Sequence, residues 1–315
     1  MNKNKLTTLI LIIIISLLLI SSIFLGNQKI TNDNFYLLLS LRIPRILGSI
    51  LIGFILSLTG VVLQTLTRNK IVDASILSIN ASASMFTVLY FYLLSKQVIS
   101  SNYLLIIFSI VGAMISVFIL VKISKQSGFK LILNAIGIGL IFTSISQMIA
   151  TKLDNSTLTM YQNWSNGNLS LLNQDELFIM IVITLPFIIL IFLNNHVLDR
   201  FTLGDSMVRS LGINLVKKQY ILYGASALIV SVCVAFVGPI SLIGIITPNI
   251  IKLINTNQHK YILINSGILG SIILLISDNM SRTLFANSNV STGLILIILL
   301  TPLFLIILLK NNKSI

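Results

Sequence analysis

Apolar side chains run almost unbroken through ten stretches of the chain, near residues 6–26, 46–66, 71–94, 103–123, 131–150, 176–193, 220–237, 240–254, 261–281 and 293–309, with short polar clusters between them. A helix needs about 20 apolar residues to cross roughly 30 Å of hydrocarbon, so the pattern predicts ten membrane-spanning helices. The eighth stretch is short and follows Gly238-Pro239. It predicts a bent or partial helix held by its neighbours rather than by lipid. The first stands behind Lys3 and Lys5 in the manner of a signal peptide, but no small-x-small cleavage site follows it, so an uncleaved helix is expected.

Composition narrows the fold class to an all-α integral membrane protein. Charged residues make up 9% and AVILMFWYC 56%, with a mean hydropathy of +1.01, whereas a soluble chain is about 25% charged. The loops are too short to house a nucleotide-binding or catalytic domain, so residues 1–315 are expected to form one transmembrane domain. The net charge of +13 could suit a nucleic-acid binder, but the basic residues sit singly between apolar runs. Cys233, the only cysteine, falls inside such a run. No intrachain disulfide or cysteine zinc cluster can form, and neither a metal site nor a cofactor is expected.

Short cytoplasmic loops retain Lys and Arg. With the N-terminus inside, fifteen of the 21 basic residues fall on the inner side, which predicts that both termini are cytoplasmic. Three of the six outer cations lie tightly against span ends: Arg42 and Arg45 where the second span starts, and Arg282 where the ninth stops. They require either a partner or lipid phosphate to which they snorkel.

An ion-coupled carrier usually places ionisable groups mid-membrane. The span interiors carry none, with Asp278 and Lys252 only near ends, and both histidines, His196 and His259, fall in predicted cytoplasmic loops. Energy for transport must then come from outside the chain. There is no G-x-x-x-x-G-K-[ST] phosphate loop, so an ATPase would be a separate subunit.

Two polar segments are long. In the inner one, 194–219, Gly204-Asp205-Ser206 starts a helix, Met207, Val208 and Leu211 give it an apolar stripe, and Gly212 stops it. This reads as a solvated linker or as a docking helix for a cytoplasmic partner. The outer one, 151–175, carries Trp164 and Tyr161 beside Asn166-Gly167-Asn168, as an interfacial aromatic anchor with a turn would.

Four segments in order resemble the FecCD-type permeases, the membrane subunits of type II ABC importers for iron chelates, haem and cobalamin. Arg42-Ile43-Pro44-Arg45, followed by Gly60 and Gln64, is similar to the family's L-R-[LI]-P-R before span 2. Leu203 through Gly212 resembles the coupling segment L-G-E-E-x-A-x-x-L-G. Gly238 through Pro248 resembles G-x-I-x-F-[VI]-G-L-x-x-P-H, and Asp278 with Arg282 resembles the D-x-x-x-R that ends span 9. The chain departs from the family at Arg68-Asn69-Lys70-Ile71-Val72-Asp73-Ala74-Ser75, where both usual prolines are gone, at Pro248-Asn249-Ile250-Ile251-Lys252, and at Asn289-Val290-Ser291-Thr292-Gly293. Its many Ile, Asn and Lys residues fit an AT-rich genome and a low-GC Gram-positive bacterium.

The resemblance implies a type II importer permease fold of about ten helices in the cell membrane, paired with a second permease chain, driven by cytoplasmic ATPase subunits and fed by an extracytoplasmic substrate-binding lipoprotein. An iron(III)-siderophore is the expected cargo, with haem or cobalamin as alternatives. An ion-driven or passive carrier of a small lipophilic solute is the competing reading. By the resemblance, Arg42, Arg45 and Arg282 receive carboxylates of the binding protein, and Leu203, Gly204, Asp205, Val208, Leu211 and Gly212 couple to the ATPase. Asn69, Ile71, Gly128 and Phe129 belong to the inner gate, and spans 5 and 10 line the path. Within span 5, at 100° per residue, Asn134, Gly137, Ser144 and Gln147 share an arc of about 140°. That face either lines the path with small neutral groups or packs against another helix through them.

Overall fold

In hydrocarbon the backbone must satisfy its own hydrogen bonds, which leaves the helix as the solution for a single span. The computed structural model describes residues 3–26, 35–99, 103–123, 128–202, 214–254, 258–285 and 290–311, and no strand occurs among the described residues. The elements are α1 (Lys3–Phe24), α2 (Phe35–Thr67), α3 (Ile79–Ser95), α4 (Tyr103–Ile123), α5 (Gly128–Ala150), α6 (Asn155–Ser165), a 3-10 turn (Leu169–Leu171), α7 (Gln174–Leu193), α8 (Asn195–Phe201), α9 (Leu215–Val237), α10 (Ile243–Ile254), α11 (His259–Thr283) and α12 (Thr292–Asn311). Among the described residues seven helices are long and apolar enough to cross a membrane; α3, α10 and the apolar part of α12 are shorter. Together they account for the ten apolar stretches.

The second and third stretches begin elsewhere than hydropathy places them. Helix α2 starts at Phe35, so Arg42 and Arg45 lie within the helix rather than ahead of it. Residues 71–78 are not helical, although apolar side chains dominate there. Asn69 Oδ1 accepts the amide of Ile71 at 2.9 Å, and Asp73 Oδ1 accepts those of Ser75 and Ile76 at 3.0 Å each. Arg68 and Ser78 take left-handed φ values of 51° and 59°. Side-chain acceptors that capture backbone N–H groups compete with the helix, and here they build the turn without the prolines. Buried Asp73 thus has a structural task that hydropathy does not disclose.

Burial separates a centre from a periphery. In the most apolar windows, 78% of α2 and 72% of α9 is buried, against 17% of α5 and 11% of α1. Helix α2 packs most extensively on α11, and also on α10 and α9; α5 leans on α3, and α1 on α11. With 12 residues, α10 extends only about 18 Å, which agrees with a partial helix. The nonhelical backbone ahead of it is tolerated because protein surrounds it.

Segment 151–175 packs its tryptophan into the protein. Asp154 caps α6, accepting from the Thr157 amide and from the Ser156 and Thr157 hydroxyls, and these bonds hold its carboxyl down at about 2. Trp164 is buried, and its indole N–H donates to the carbonyls of Val234 and Ala235 at 2.9 Å. The ring meets Phe91 edge-on at 5.8 Å. Those two acceptors belong to the last turn of α9, where Val234 also accepts from the Gly238 amide at 2.9 Å. Gly238 follows with φ 81°, where a Cβ would sit 1.8 Å from the Trp164 carbonyl oxygen.

Candidate functional site

At the end of α2 that bears Arg42 and Arg45, the three singled-out arginines converge. Asp278, with no exposed surface, receives Arg45 Nε on Oδ1 at 2.6 Å and lies 3.0 Å from Arg282 Nε through Oδ2. The second contact is close but off-line, so it is a charge contact rather than an aligned hydrogen bond. Thr292 also donates to Asp278 Oδ1, at 3.2 Å. Arg45 reaches the Ser281 hydroxyl at 3.3 Å, and Ser281 donates to the Val290 carbonyl at 2.7 Å. Arg282 donates to Asn279 Oδ1 and Ser22 Oγ, while Arg42 donates to the Ile23 carbonyl at 2.8 Å. The cluster therefore ties α1, α2, α11 and the start of α12 together. Two of the guanidinium groups neutralise a buried carboxylate, so reversing all three charges is expected to disturb the fold.

A second site lies where α2 ends. A cavity of about 370 Å³ is lined by Gln64, Arg68, Asn69, Thr202, Lys252 and His259 among others. Gln64 Nε2 donates to the carbonyls of Gly244 and Ile245, at 3.2 Å each, and its Oε1 accepts from Lys252 at 3.1 Å. Asn249 ties α10 to the turn by donating to the Lys70 carbonyl at 2.8 Å. His259 is not a loop residue: it is buried and opens α11. Asp199 of α8 accepts from its backbone N–H at 2.8 Å and from Nδ1 at 2.7 Å, which fixes a proton on Nδ1. His259 Nε2 meets Thr65 Oγ1 at 2.9 Å. Neither Asp199 nor His259 stood out in the sequence, since each lies in a polar run.

Asn69, expected at the inner gate, lines the same cavity as Thr202, which directly precedes the stretch expected to couple to an ATPase. Leu203, Gly204, Asp205, Val208, Leu211 and Gly212 lie outside the described residues. Ile71 is exposed beside this cavity. Gly128 and Phe129 open α5, with the side chain of Phe129 outside the described residues.

The span 5 face is largely uncovered. Gly137, Ser144 and Gln147 are exposed and Asn134 is half-buried; a Cβ on Gly137 would meet nothing within 4 Å. Beside this face, between α3, α5 and α6, is a cavity of about 390 Å³ that includes Gln147 and also Thr143, Ser146, Asn80 and Ser84. The last four were not singled out by sequence. Only the placement of Asn80 in an apolar run signals them.

A model of the FecCD transport family matches residues 7–310. The chain is similar to the iron-uptake system permease protein FeuC of Bacillus subtilis, 31% identical over 88% of this chain and 85% of that protein. It is also similar to the vitamin B12 import system permease protein BtuC of Vibrio vulnificus, 24% identical over 81% and 77%. The fold matches a solved metal-chelate type ABC transporter in an inward-facing conformation with a TM-score of 0.88 and 20% identity, over 98% of this chain and 99% of the other.

Proposed function

The chain belongs to the FecCD transport family, as a membrane-embedded permease subunit of a type II ABC importer, and from that premise we propose that its cargo is an iron(III)-siderophore complex. One observation carries the cargo reading: the similarity to an iron-uptake permease is higher, and covers more of the chain, than that to a vitamin B12 permease. The test is an uptake panel in a strain lacking this gene and carrying a plasmid copy. Radioiron as siderophore complexes should enter only with the gene present, while labelled cobalamin and haem should not respond to it. Gene-dependent cobalamin or haem uptake without iron uptake overturns the assignment.

ATP hydrolysis belongs to a separate subunit, and permeases of this class work with a second permease chain. In this reading the uncovered face of α5, with Asn134, Gly137, Ser144 and Gln147, meets the path shared by the two chains. Its neutral groups let a bulky chelate pass without holding it. The 203–212 stretch couples to the ATPase and the Asn69 cavity beside it forms part of the inner gate. Both termini face the cytoplasm of a Gram-positive cell, in line with the basic-residue bias and the Bacillus relative.

The arginine cluster is the docking site for the substrate-binding lipoprotein, acting chiefly through its field. Arg45 and Arg282 share the one carboxylate of Asp278, so this pair keeps positive charge for an acidic receptor lobe. Arg42→Gln, which spares the Asp278 pairs, should slow receptor association with permease in nanodiscs by roughly two- to fivefold at low salt and hardly at all at high salt. An association rate unchanged at low salt rules out this role for Arg42.

A further inference from the structure

The cavity beside α5 is polar but carries no full charge. Among the described residues no ionisable acid or base lines it apart from the phenol of Tyr161. Three of its hydroxyl protons are committed elsewhere: Thr143 donates to the Gly139 and Leu140 carbonyls at 3.0 Å each, Ser146 to Phe142 at 2.9 Å, and Ser165 to Gln162 at 3.0 Å. These three turn lone pairs toward the cavity, and the amide of Gln147 and the other hydroxyls add neutral donors. Asn80 extends this pattern. Its Nδ2 donates to Ser75 Oγ at 2.9 Å and to the Ile240 carbonyl at 3.2 Å. A carbonyl can only accept, so the amide orientation is set. Asn80 is 6% exposed, and its Oδ1 has no partner among the described residues; the buried Ser84 Oγ has none either.

A buried acceptor left without a donor is costly, and roughly 390 Å³ is many times the ~30 Å³ share of one water. We propose that this cavity is a recognition subsite for the uncharged, hydrogen-bond-donating periphery of the cargo, with amide N–H or hydroxyl groups meeting Asn80, Ser84 and Thr143 and flat carbon lying against Tyr161. This deepens, and rests on, the reading of the chain as a chelate permease. A carboxylate-rimmed chelate would find no cation in this lining to offset its desolvation. The subsite therefore selects uncharged, hydrogen-bonding chelates over polycarboxylate ones. Gln147, shared by the cavity and the uncovered face of α5, places the subsite at the edge of the path.

The test uses the assembled importer in nanodiscs with the lipoprotein left out, so that receptor affinity does not mask the subsite. Two probes are compared: the radioiron complex of a trihydroxamate with amide N–H groups, and iron(III) citrate, whose rim is carboxylate. Ser84→Ala removes a hydroxyl that bonds nothing among the described residues, and Thr143→Val replaces a helical hydroxyl by a methyl of similar size, so thermal unfolding should not worsen in either. Each should weaken trihydroxamate binding by roughly three- to tenfold, the size of one hydrogen bond, and leave the weaker citrate binding unchanged. Wild-type affinity for the trihydroxamate in both variants, or equal affinity of the wild type for the two probes, overturns the subsite. ATP-driven uptake by the wild type in proteoliposomes tests the cargo reading separately: import with unaffected variants sinks the subsite alone, and import of neither iron complex sinks both.

Discussion

Asp278→Ala is expected to destabilise the permease by about 3–5 kcal/mol, the cost of breaking a buried ion pair by removing one partner. Asp278 has no exposed surface, and the side chains of Arg45 and Arg282 are only 17% and 8% exposed. Without the carboxylate, two guanidinium groups from α2 and α11 face each other in a site that water reaches poorly. Since α2 and α11 form the most extensive helix contact in the chain, their repulsion acts where most of the burial is. Asp278→Asn should fall between, because the amide oxygen can still accept from Arg45 and Thr292. Removing the whole set, as Asp278→Ala with Arg45→Met and Arg282→Met, should recover much of the loss, since no buried charge is left unpaired. Unfolding of the reconstituted protein by denaturing detergent, read by tryptophan fluorescence of buried Trp164, measures all three. A single Ala variant within about 1 kcal/mol of wild type would show that the cluster is solvated and the ion-pair argument wrong.

The same residues show how far hydropathy and charge counting reach. A count of cations against the expected topology singled out Arg42, Arg45 and Arg282 because outward arginines need an explanation. It could not show that a carboxylate more than 230 residues from Arg45 supplies it, since helix pairing leaves no local trace. The apolar runs were legible because about 20 residues of hydrocarbon-compatible side chain admit only a helix. The turn at 71–78 was not, because its driving bonds come from Asn69 and Asp73 at the edge of an apolar run. Trp164 read as an interfacial aromatic, yet the two carbonyls it satisfies lie 70 and 71 residues away. In the cavity beside α5, Asn80, Ser84, Thr143 and Ser146 come from two helices whose pairing no period reveals. The 140° face of span 5 was visible because all its members lie on one helix.

Gly60→Leu should yield no stably folded permease, and Gly60→Ala should cost at least about 1–3 kcal/mol, the usual range for overpacking. At Gly60 an added Cβ would lie 2.0 Å from the Gly244 carbonyl oxygen and 2.6 Å from Gly244 Cα. The obstacle is backbone on both sides, so no rotamer change relieves it and α2 must move away from α10. That movement has a second cost. One turn along α2, Gln64 donates to the carbonyls of Gly244 and Ile245, and the first of these has no helical donor four residues on because Pro248 carries no N–H. A 12-residue helix is too short to be held by lipid, so its place depends on α2, α11 and α12, and weakening the first contact loosens the approach to the Asn69 cavity. Both glycines stood in segments that carried the family resemblance, but only the structure shows that they touch: small residues let two membrane helices approach to backbone contact. Gly224→Ala in α9 is the control, since a Cβ there meets nothing within 4 Å. It should stabilise the helix by about 0.5–1 kcal/mol. Detergent-titrated unfolding of the three variants beside wild type gives the comparison, with opposite signs expected for the two Gly→Ala changes. A Gly60→Ala protein as stable as wild type would mean that α2 and α10 are not in backbone contact, and that Gly60 serves something other than this crossing.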